Sequence, residues 1–264
     1  AFVLCGAIDN YEQFEYTENW YDLDTWTITI NRYKSNVSAF VTGGYIRFYA
    51  DGKEHIGTIE SIEKPLDQDG KGGEAWVISG RGVESIFAQR ICLTGTTTGT
   101  GYNTCGDTAI TALTFTFAAT ATVTASASCL SQVSPGYYIY NSTNDAAVKA
   151  VKIASISADG LTITLTTAYA GTAGSGKSAS LVGQPGETAL RTYVNAECIS
   201  ATDTNRNLSG VTLATADSKR GAVVARSTRF EYLSDILYGV AKETNLSFRL
   251  VHGAGLNFIF TVLQ

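Results

Sequence analysis

The segment Gly171–Ser178, GTAGSGKS, is the clearest candidate for chemistry, because it fits the phosphate-loop pattern G-x-x-x-x-G-K-[ST] at every fixed position. A phosphate loop also needs a buried strand before the first glycine and a helix that begins at the Lys-Ser pair. The preceding Leu161–Thr167 alternates apolar and polar residues, as a half-exposed antiparallel strand does. Gly183, Pro185 and Gly186 stop any helix soon after the lysine. We therefore interpret Gly171–Ser178 as a hairpin tip and a decoy, and we expect no cofactor.

Two pairs of carboxylates are the next candidates. Asp22 and Asp24 flank the start of a strand, where turn and cap roles are usual. Asp67 and Asp69 lie in LDQDGKGG, which is similar to a calcium loop, but Glu74 comes too early to act as the distal ligand. Neither pair predicts a metal site.

Histidines and cysteines offer little more. His55 and His252 each lie near a glycine-containing turn, where a polar structural role is more usual than catalysis. The five cysteines are widely spaced and odd in number, which favours reduced thiols over a zinc site or a complete disulfide framework. Cys92 and Cys105 could still bridge across a loop. We predict no catalytic or metal-binding residues and a protein that is not an enzyme.

The composition is that of a globular β protein. The chain has 264 residues, is 44% hydrophobic and 16% charged, and carries 26 glycines but only 3 prolines. Such a palette, with many Thr, Ser, Tyr and Val, is typical of short strands and tight turns. A net charge of −5 without a basic run argues against a nucleic-acid surface. No apolar stretch is long enough to predict a membrane span.

Three blocks separate by pattern. Residues 1–92 contain long strands, with Trp26, Ile28 and Ile30 on one face, a hairpin at ADGK, and helical spacing in VESIFAQRI. Residues 93–185 are rich in Thr, Ala, Ser and Gly and predict a small β module inserted between the other two. Residues 186–264 predict two helices and a closing hairpin at HGAG.

Both predicted helices of the last block have an apolar face. In GETALRTYVNAEC that face is Leu190, Tyr193 and Val194. In STRFEYLSDILYGVAKET, Thr228 and Glu231 are spaced for a capping box. The apolar stripe of this second helix consists of Leu233, Ile236, Leu237, Val240 and Ala241. The pattern predicts a mainly β (α+β) chain, an antiparallel β framework with a few packed helices and an inserted β module.

The outer blocks resemble the hub-type (baseplate hub-like) tail proteins of long-tailed bacteriophages. The resemblance rests on IDNYEQFEYTENWYDLDTWTITINR and ISGRGVESIFAQRI in the first block, and on GETALRTYVNAE and SKRGAVVARSTRFEYLSDILYGVAKETNLSFRLV in the last. These segments cover about two-thirds of the chain in the family's order. Residues 93–185 depart from the family, which usually connects the two blocks by a short link.

The resemblance implies a structural virion protein at the tail tip. It implies a fold similar to tail-tube subunits, with two antiparallel β-barrels per chain, to which this chain adds a small inserted sandwich or barrel module. It implies a homotrimer that matches the sixfold tube and closes its distal end. The implied partners are the distal tail protein, the tube, and tape measure or fibre proteins, with DNA only in transit through the lumen.

Tyr137, Tyr138 and Tyr140 in GYYIY form a possible interaction surface. One interpretation is that the strand alternates a core face with an interface face. The alternative function is a carbohydrate-binding module that recognises a host surface glycan, since aromatic rings stack on sugars.

Overall fold

The computed structural model describes residues 4–50, 52–66, 73–93, 103–105, 108–201, 203–215, 217–224, 226–228, 230–253 and 257–264. The protein is mainly β, with two curled antiparallel sheets that each form a half-barrel, and few helices. This confirms the fold class predicted from the sequence.

The first sheet is built from the first block. Its strands are β1 (Gln13–Thr17), β2 (Thr25–Asn31), β3 (Tyr45–Ala50), β4 (Lys53–Glu63) and β5 (Ala75–Gly82). They lie in the order β1-β2-β5-β4-β3, and every neighbouring pair is antiparallel. The predicted hairpin at ADGK joins β3 to β4. Trp26, Ile28 and Ile30 are buried on one face, as predicted, and the short 3-10 helix Val37–Ala39 packs over them.

The second sheet is built from the middle block. Its eight strands are β7 (Thr108–Ala109), β8 (Phe115–Phe117), β9 (Thr122–Ala125), β10 (Tyr138–Asn141), β11 (Val151–Ile156), β12 (Thr162–Leu165), β13 (Gly174–Lys177) and β14 (Ala179–Val182). Their order is β13-β8-β9-β12-β11-β10-β14-β7. A separate core fills its concave side, with Phe115, Phe117 and Ile163 almost fully buried. The alternating pattern of Leu161–Thr167 correctly predicted an antiparallel strand.

The last block contributes the helices and a smaller sheet. Helix α1 (Gly186–Val194) continues as a π-helix over Asn195–Ile199, and helix α2 spans Leu233–Thr244. Hairpin β19 (Ser247–His252) and β20 (Phe258–Leu263) pairs with the parallel strand β16 (Val211–Leu213). Two-residue strands β15 (Gln184–Pro185) and β17 (Val223–Val224) pair with each other, as do β6 (Asn103–Cys105) and β18 (Arg226–Thr228).

The apolar faces of both helices are buried as predicted, but the predicted capping box is wrong. Thr228 ends strand β18, and α2 begins only at Leu233, after Tyr232. No side-chain hydrogen bond caps that helix end. Phe230 has a left-handed backbone, with φ of 58°, so the helix cannot run through this residue to a cap at Thr228.

A shared core joins the first block to the last. The segment after β5 is a 3-10 helix, Val83–Gln89, in place of the α-helix that its spacing suggested. Val83, Phe87 and Cys92 are fully buried there among side chains of α1, α2 and β20. The Phe87 ring lies 6.2 Å from Phe248 and 5.9 Å from Phe260, measured between ring centroids. The two outer blocks therefore fold on each other. No described helix is long and apolar enough to cross a membrane.

An ion pair between a half-buried arginine and a buried carboxylate ties helix α1 to the closing hairpin. The Arg220 guanidinium donates two hydrogen bonds to the Glu187 carboxylate, of 2.8 and 3.1 Å, and a third of 2.7 Å to the Val262 carbonyl. Burial by itself would raise the pKa of Glu187, but the hydrogen bonds and charge of Arg220 hold it below its ordinary value. The stabilisation is therefore present above the ordinary pKa of a glutamate and is lost as the pH falls through the lower folded-state value.

We predict that Arg220→Ala lowers the free energy of unfolding by about 3 kcal/mol at pH 7, because it leaves the Glu187 carboxylate buried without its partner. Urea unfolding followed by circular dichroism measures this change. The matched control is Arg81→Ala, which breaks the more exposed pair with Glu60 and should cost about 0–1 kcal/mol. Equal losses in the two variants would contradict the prediction.

Candidate interaction surfaces

The phosphate-loop match lies in a β-strand. Gly174–Lys177 forms β13 at one edge of the middle sheet and pairs with β8. The chain then continues into strand β14 at Ala179, so no helix begins at the Lys-Ser pair. The helix N-terminus that a phosphate loop requires is thus not present in this segment, all of which the structure describes.

A carboxylate of the chain already binds the start of this segment. Asp145 accepts hydrogen bonds from the Thr172 amide (2.7 Å), the Thr172 hydroxyl (2.9 Å) and the Tyr169 hydroxyl (2.7 Å). The Tyr169 hydroxyl in turn accepts a bond of 2.9 Å from the Asn141 amide. Burial acts to raise the pKa of Asp145, but these hydrogen bonds hold it below its ordinary value. The loop is thus held by an internal anion.

We predict that the protein shows no saturable binding of Mg-ATP or Mg-GTP in isothermal titration calorimetry. Lys177→Ala should give the same baseline as the unmodified chain, because the lysine does not meet a helix N-terminus. Nucleotide binding that is lost in Lys177→Ala would overturn the interpretation of Gly171–Ser178 as a decoy.

The three tyrosines of GYYIY do not share one surface. Tyr138 is 41% exposed, and Tyr140 is partly buried against the middle core. Tyr137 is only 6% exposed and belongs to that core, so its place in the predicted interaction surface is corrected. It lies on the same side as Ile139, since side chains two apart in a strand share a face. A single exposed ring is a poor platform for a sugar.

The other candidate residues have structural roles. Asp22 accepts a bond from the Leu23 amide, and Asp24 accepts one of 2.7 Å from the Asn19 amide, which is the turn role expected of them. His55 is buried, lies 2.8 Å from the Tyr16 hydroxyl and stacks on Phe48.

The last candidates are His252 and the second pair of aspartates. His252 lies at the end of β19. Asp67 and Asp69 lie outside the described residues. Within the described ranges, no group of three or more His, Cys, Asp or Glu side chains could hold a metal ion. Cys92 forms no disulfide.

An acidic cleft lies between the first and last blocks and was not predicted from the sequence. Its walls include Glu18, Asp22, Asp24 and Glu84, together with Arg249. Glu84 accepts a hydrogen bond of 2.6 Å from the Leu250 amide on β19. The sequence contained one sign of this cleft: the acidic Glu84 follows the apolar Val83 in a segment with helical spacing. Its partners lie far away in the sequence, so the cleft itself could not be predicted.

Glu84 is the most perturbed acid of this cleft. Burial raises its pKa to about 7, and the nearby Asp24 charge adds to the rise, while the Leu250 amide and Arg249 act in the opposite direction. Because the folded-state pKa lies above the ordinary one, the folded protein binds this proton more tightly than the unfolded chain does. Its ionisation therefore destabilises the fold progressively from about pH 4.5 to about pH 7.

We predict that Glu84→Gln raises the free energy of unfolding at pH 8 by on the order of 2 kcal/mol, because the amide keeps an acceptor for Leu250 without the charge. At pH 4 the two proteins should have equal stability. Chemical denaturation at both pH values measures this, with the exposed Glu15→Gln as the control. A gain that is the same at pH 4 and pH 8 would show that charge is not its cause.

Both curled sheets have open edges. Among the strands that the structure describes, β1 and β3 of the first sheet each pair on one side only, and so do β13 and β7 of the second. On the outward face, β1 presents Glu15 and β3 presents Arg47 and Tyr49, the last of which is 69% exposed. Such edges can pair with strands of another chain unless something covers them.

Comparison with known proteins identifies the family. The sequence model described as "Siphovirus ReqiPepy6 Gp37-like protein" matches residues 1–128 and 142–264. No curated protein matches the chain. The family match runs through most of the middle block, so this block is shared with the family and is not peculiar to this chain. The chain belongs to the siphovirus ReqiPepy6 Gp37-like family.

Proposed function

We propose that this siphovirus protein is a structural, non-enzymatic component of the virion. We place it at the tail tip, as a hub protein that closes the distal end of the tail tube. Membership of the siphovirus family supports a phage structural role. The resemblance of the outer blocks to hub-type tail proteins supports the more specific location.

The observation that carries the proposal is the pair of curled sheets with open edges. A half-barrel leaves two rows of unpaired backbone groups, and a ring of copies can cover them. In a homotrimer the first sheets would pair edge to edge around one axis, and the middle block would project outward from the ring.

The edges of the first sheet suit pairing between copies. All neighbouring strands of this sheet are antiparallel, so β1 and β3, at positions one and five, run in the same direction. A copy rotated about an axis along the strands would bring β1 beside β3 in parallel. Glu15 would then face the edge that carries Arg47. The Arg47 side chain is half exposed, and its present pair with Glu54 at 3.3 Å is of the weak surface kind.

The proposed partners follow from this location. The ring would stack on the tail tube and the distal tail protein, and would contact tape measure or fibre proteins. The net charge of −5 suits a lumen through which DNA passes without binding, because like charges repel.

We expect quantitative peptide mass spectrometry of purified particles to find about three copies of this chain per tail, as a ring of this symmetry requires. The same peptides should be depleted from particles that lack the tail tip. Absence from the particles would contradict the proposed function, and abundance equal to that of the tube protein would make the chain a tube subunit.

A further inference from the structure

The loop that joins β1 to β2 lies against the acidic cleft. It comprises residues 18–24, all of which the structure describes, and we call it the docking loop. None of its side chains is fully buried, and Tyr21 is the one that packs against the shared core. Three polar contacts hold the loop on the last block: the Ser247 hydroxyl donates to the Trp20 carbonyl at 2.7 Å, the Tyr21 hydroxyl donates to the Asn245 side chain at 3.0 Å, and Arg249 donates to Glu18 at 2.9 Å. A segment held mainly by polar contacts at the surface can open locally while the rest of the fold persists.

The cleft beside the docking loop holds more negative than positive charge. The loop contributes Glu18, Asp22 and Asp24, the opposite wall contributes Glu84, and Arg249 is the one cation among the described lining residues. Arg249 already pairs with Glu18. The other three carboxylates therefore have no cationic partner in the described lining, and like charges repel one another more strongly here than in bulk water.

Two of these acids, Glu84 and Asp24, meet beside Gly82. A Cβ atom at position 82 would lie 2.8 Å from a Glu84 carboxylate oxygen and 3.2 Å from the Asp24 Cβ. The Gly82 amide also donates to the Asp24 carbonyl at 2.8 Å. The glycine thus leaves the space that brings the two acids together. A negative charge on Glu84 is placed directly against the end of the docking loop.

Glu84 is also the acid of this cluster whose charge changes near neutral pH. Burial, and to a smaller extent the Asp24 charge, raise its pKa to about 7. The phenols that face it stay neutral in this range, because burial raises the pKa of Tyr16 on β1 and of Tyr238 on α2 above the ordinary value. His55 on β4 bonds to the Tyr16 hydroxyl at 2.8 Å. These groups leave Glu84 as the acid that titrates against the docking loop.

We propose that a proton on Glu84 controls the docking loop, which stays bound to the last block while Glu84 is protonated and dissociates from it when Glu84 ionises. Val83 and Phe87 remain buried in the shared core, so the opening is confined to the loop and uncovers the cleft. Such a pH-sensitive element goes beyond the proposed function and does not rest on it.

The direction of the effect follows from proton linkage. In the closed state Glu84 is buried, whereas in the open state water reaches it and its affinity for the proton is that of an ordinary glutamate. The closed state therefore binds the proton more tightly. Closure is strongest below about pH 4.5, weakens as the pH rises to about 7, and changes no further above that.

Hydrogen–deuterium exchange of the full chain at pH 5 and pH 8 tests the proposal, with each rate corrected for the intrinsic effect of pH. The opening equilibrium of residues 18–24 should be about tenfold or more higher at pH 8, and Glu84→Gln should remove this difference. Glu15→Gln is the matched control, since it makes the same change at an exposed site on β1 and should keep the pH response. A response that persists in Glu84→Gln would assign it to another group, such as His55, and overturn the proposal. Equal changes in residues 151–165 of the middle sheet would show global unfolding and do the same.

Ser247→Ala provides a second test at a position where alanine fits the buried site. Loss of the hydroxyl bond to the Trp20 carbonyl should raise the opening equilibrium of the loop about fivefold at pH 5. The ratio between pH 8 and pH 5 should stay the same, because Glu84 is intact, and exchange of residues 151–165 should not change. Unchanged exchange of the loop in this variant would show that the loop is not held on the last block as proposed.

Discussion

The burial of Phe87 against Phe248 and Phe260 is the contact on which the arrangement of the chain depends. Phe87 comes directly after the first sheet, whereas its partners belong to the hairpin that closes the fold. In the sequence, the whole middle sheet lies between Phe87 and these partners. Helices α1 and α2 pack on the same core, so the first sheet, the helices and the hairpin are held as one unit.

Polar contacts then set the orientation that apolar packing leaves open. The loop before β2 docks on the last block through a bond from the Ser247 hydroxyl to the Trp20 carbonyl and an ion pair between Arg249 and Glu18. Glu84 adds its bond to the Leu250 amide from the other side of the cleft. These contacts are directional, unlike the apolar core. The polar contacts around the acidic cleft thus fix the orientation of the first sheet relative to the last block.

Elements with a strong local pattern could be predicted from the sequence, and those defined by distant partners could not. The alternation in β2 and the stripe of α2 place their own apolar faces, because burial follows the period of the element. The start of α2 was mispredicted, because the chain before it is held in a left-handed turn at Phe230, whose amide donates to the carbonyl of Cys92, far away in the sequence. Tyr137 was expected at the surface, although its register relative to Ile139 turns it inward.

The first and last strands of the middle sheet are neighbours, since Ser180 on β14 pairs with Ala109 on β7. The chain therefore leaves the outer blocks and comes back to them at nearly the same point. A unit attached in this way is a cassette: it can be exchanged, enlarged or trimmed without moving the ends that hold it. Recombination between phage genomes could then replace the middle half-barrel while the first sheet, the helices and the closing hairpin stay unchanged. Because β7 and β14 lie side by side, such a protein can change its external surface by exchange of the middle block.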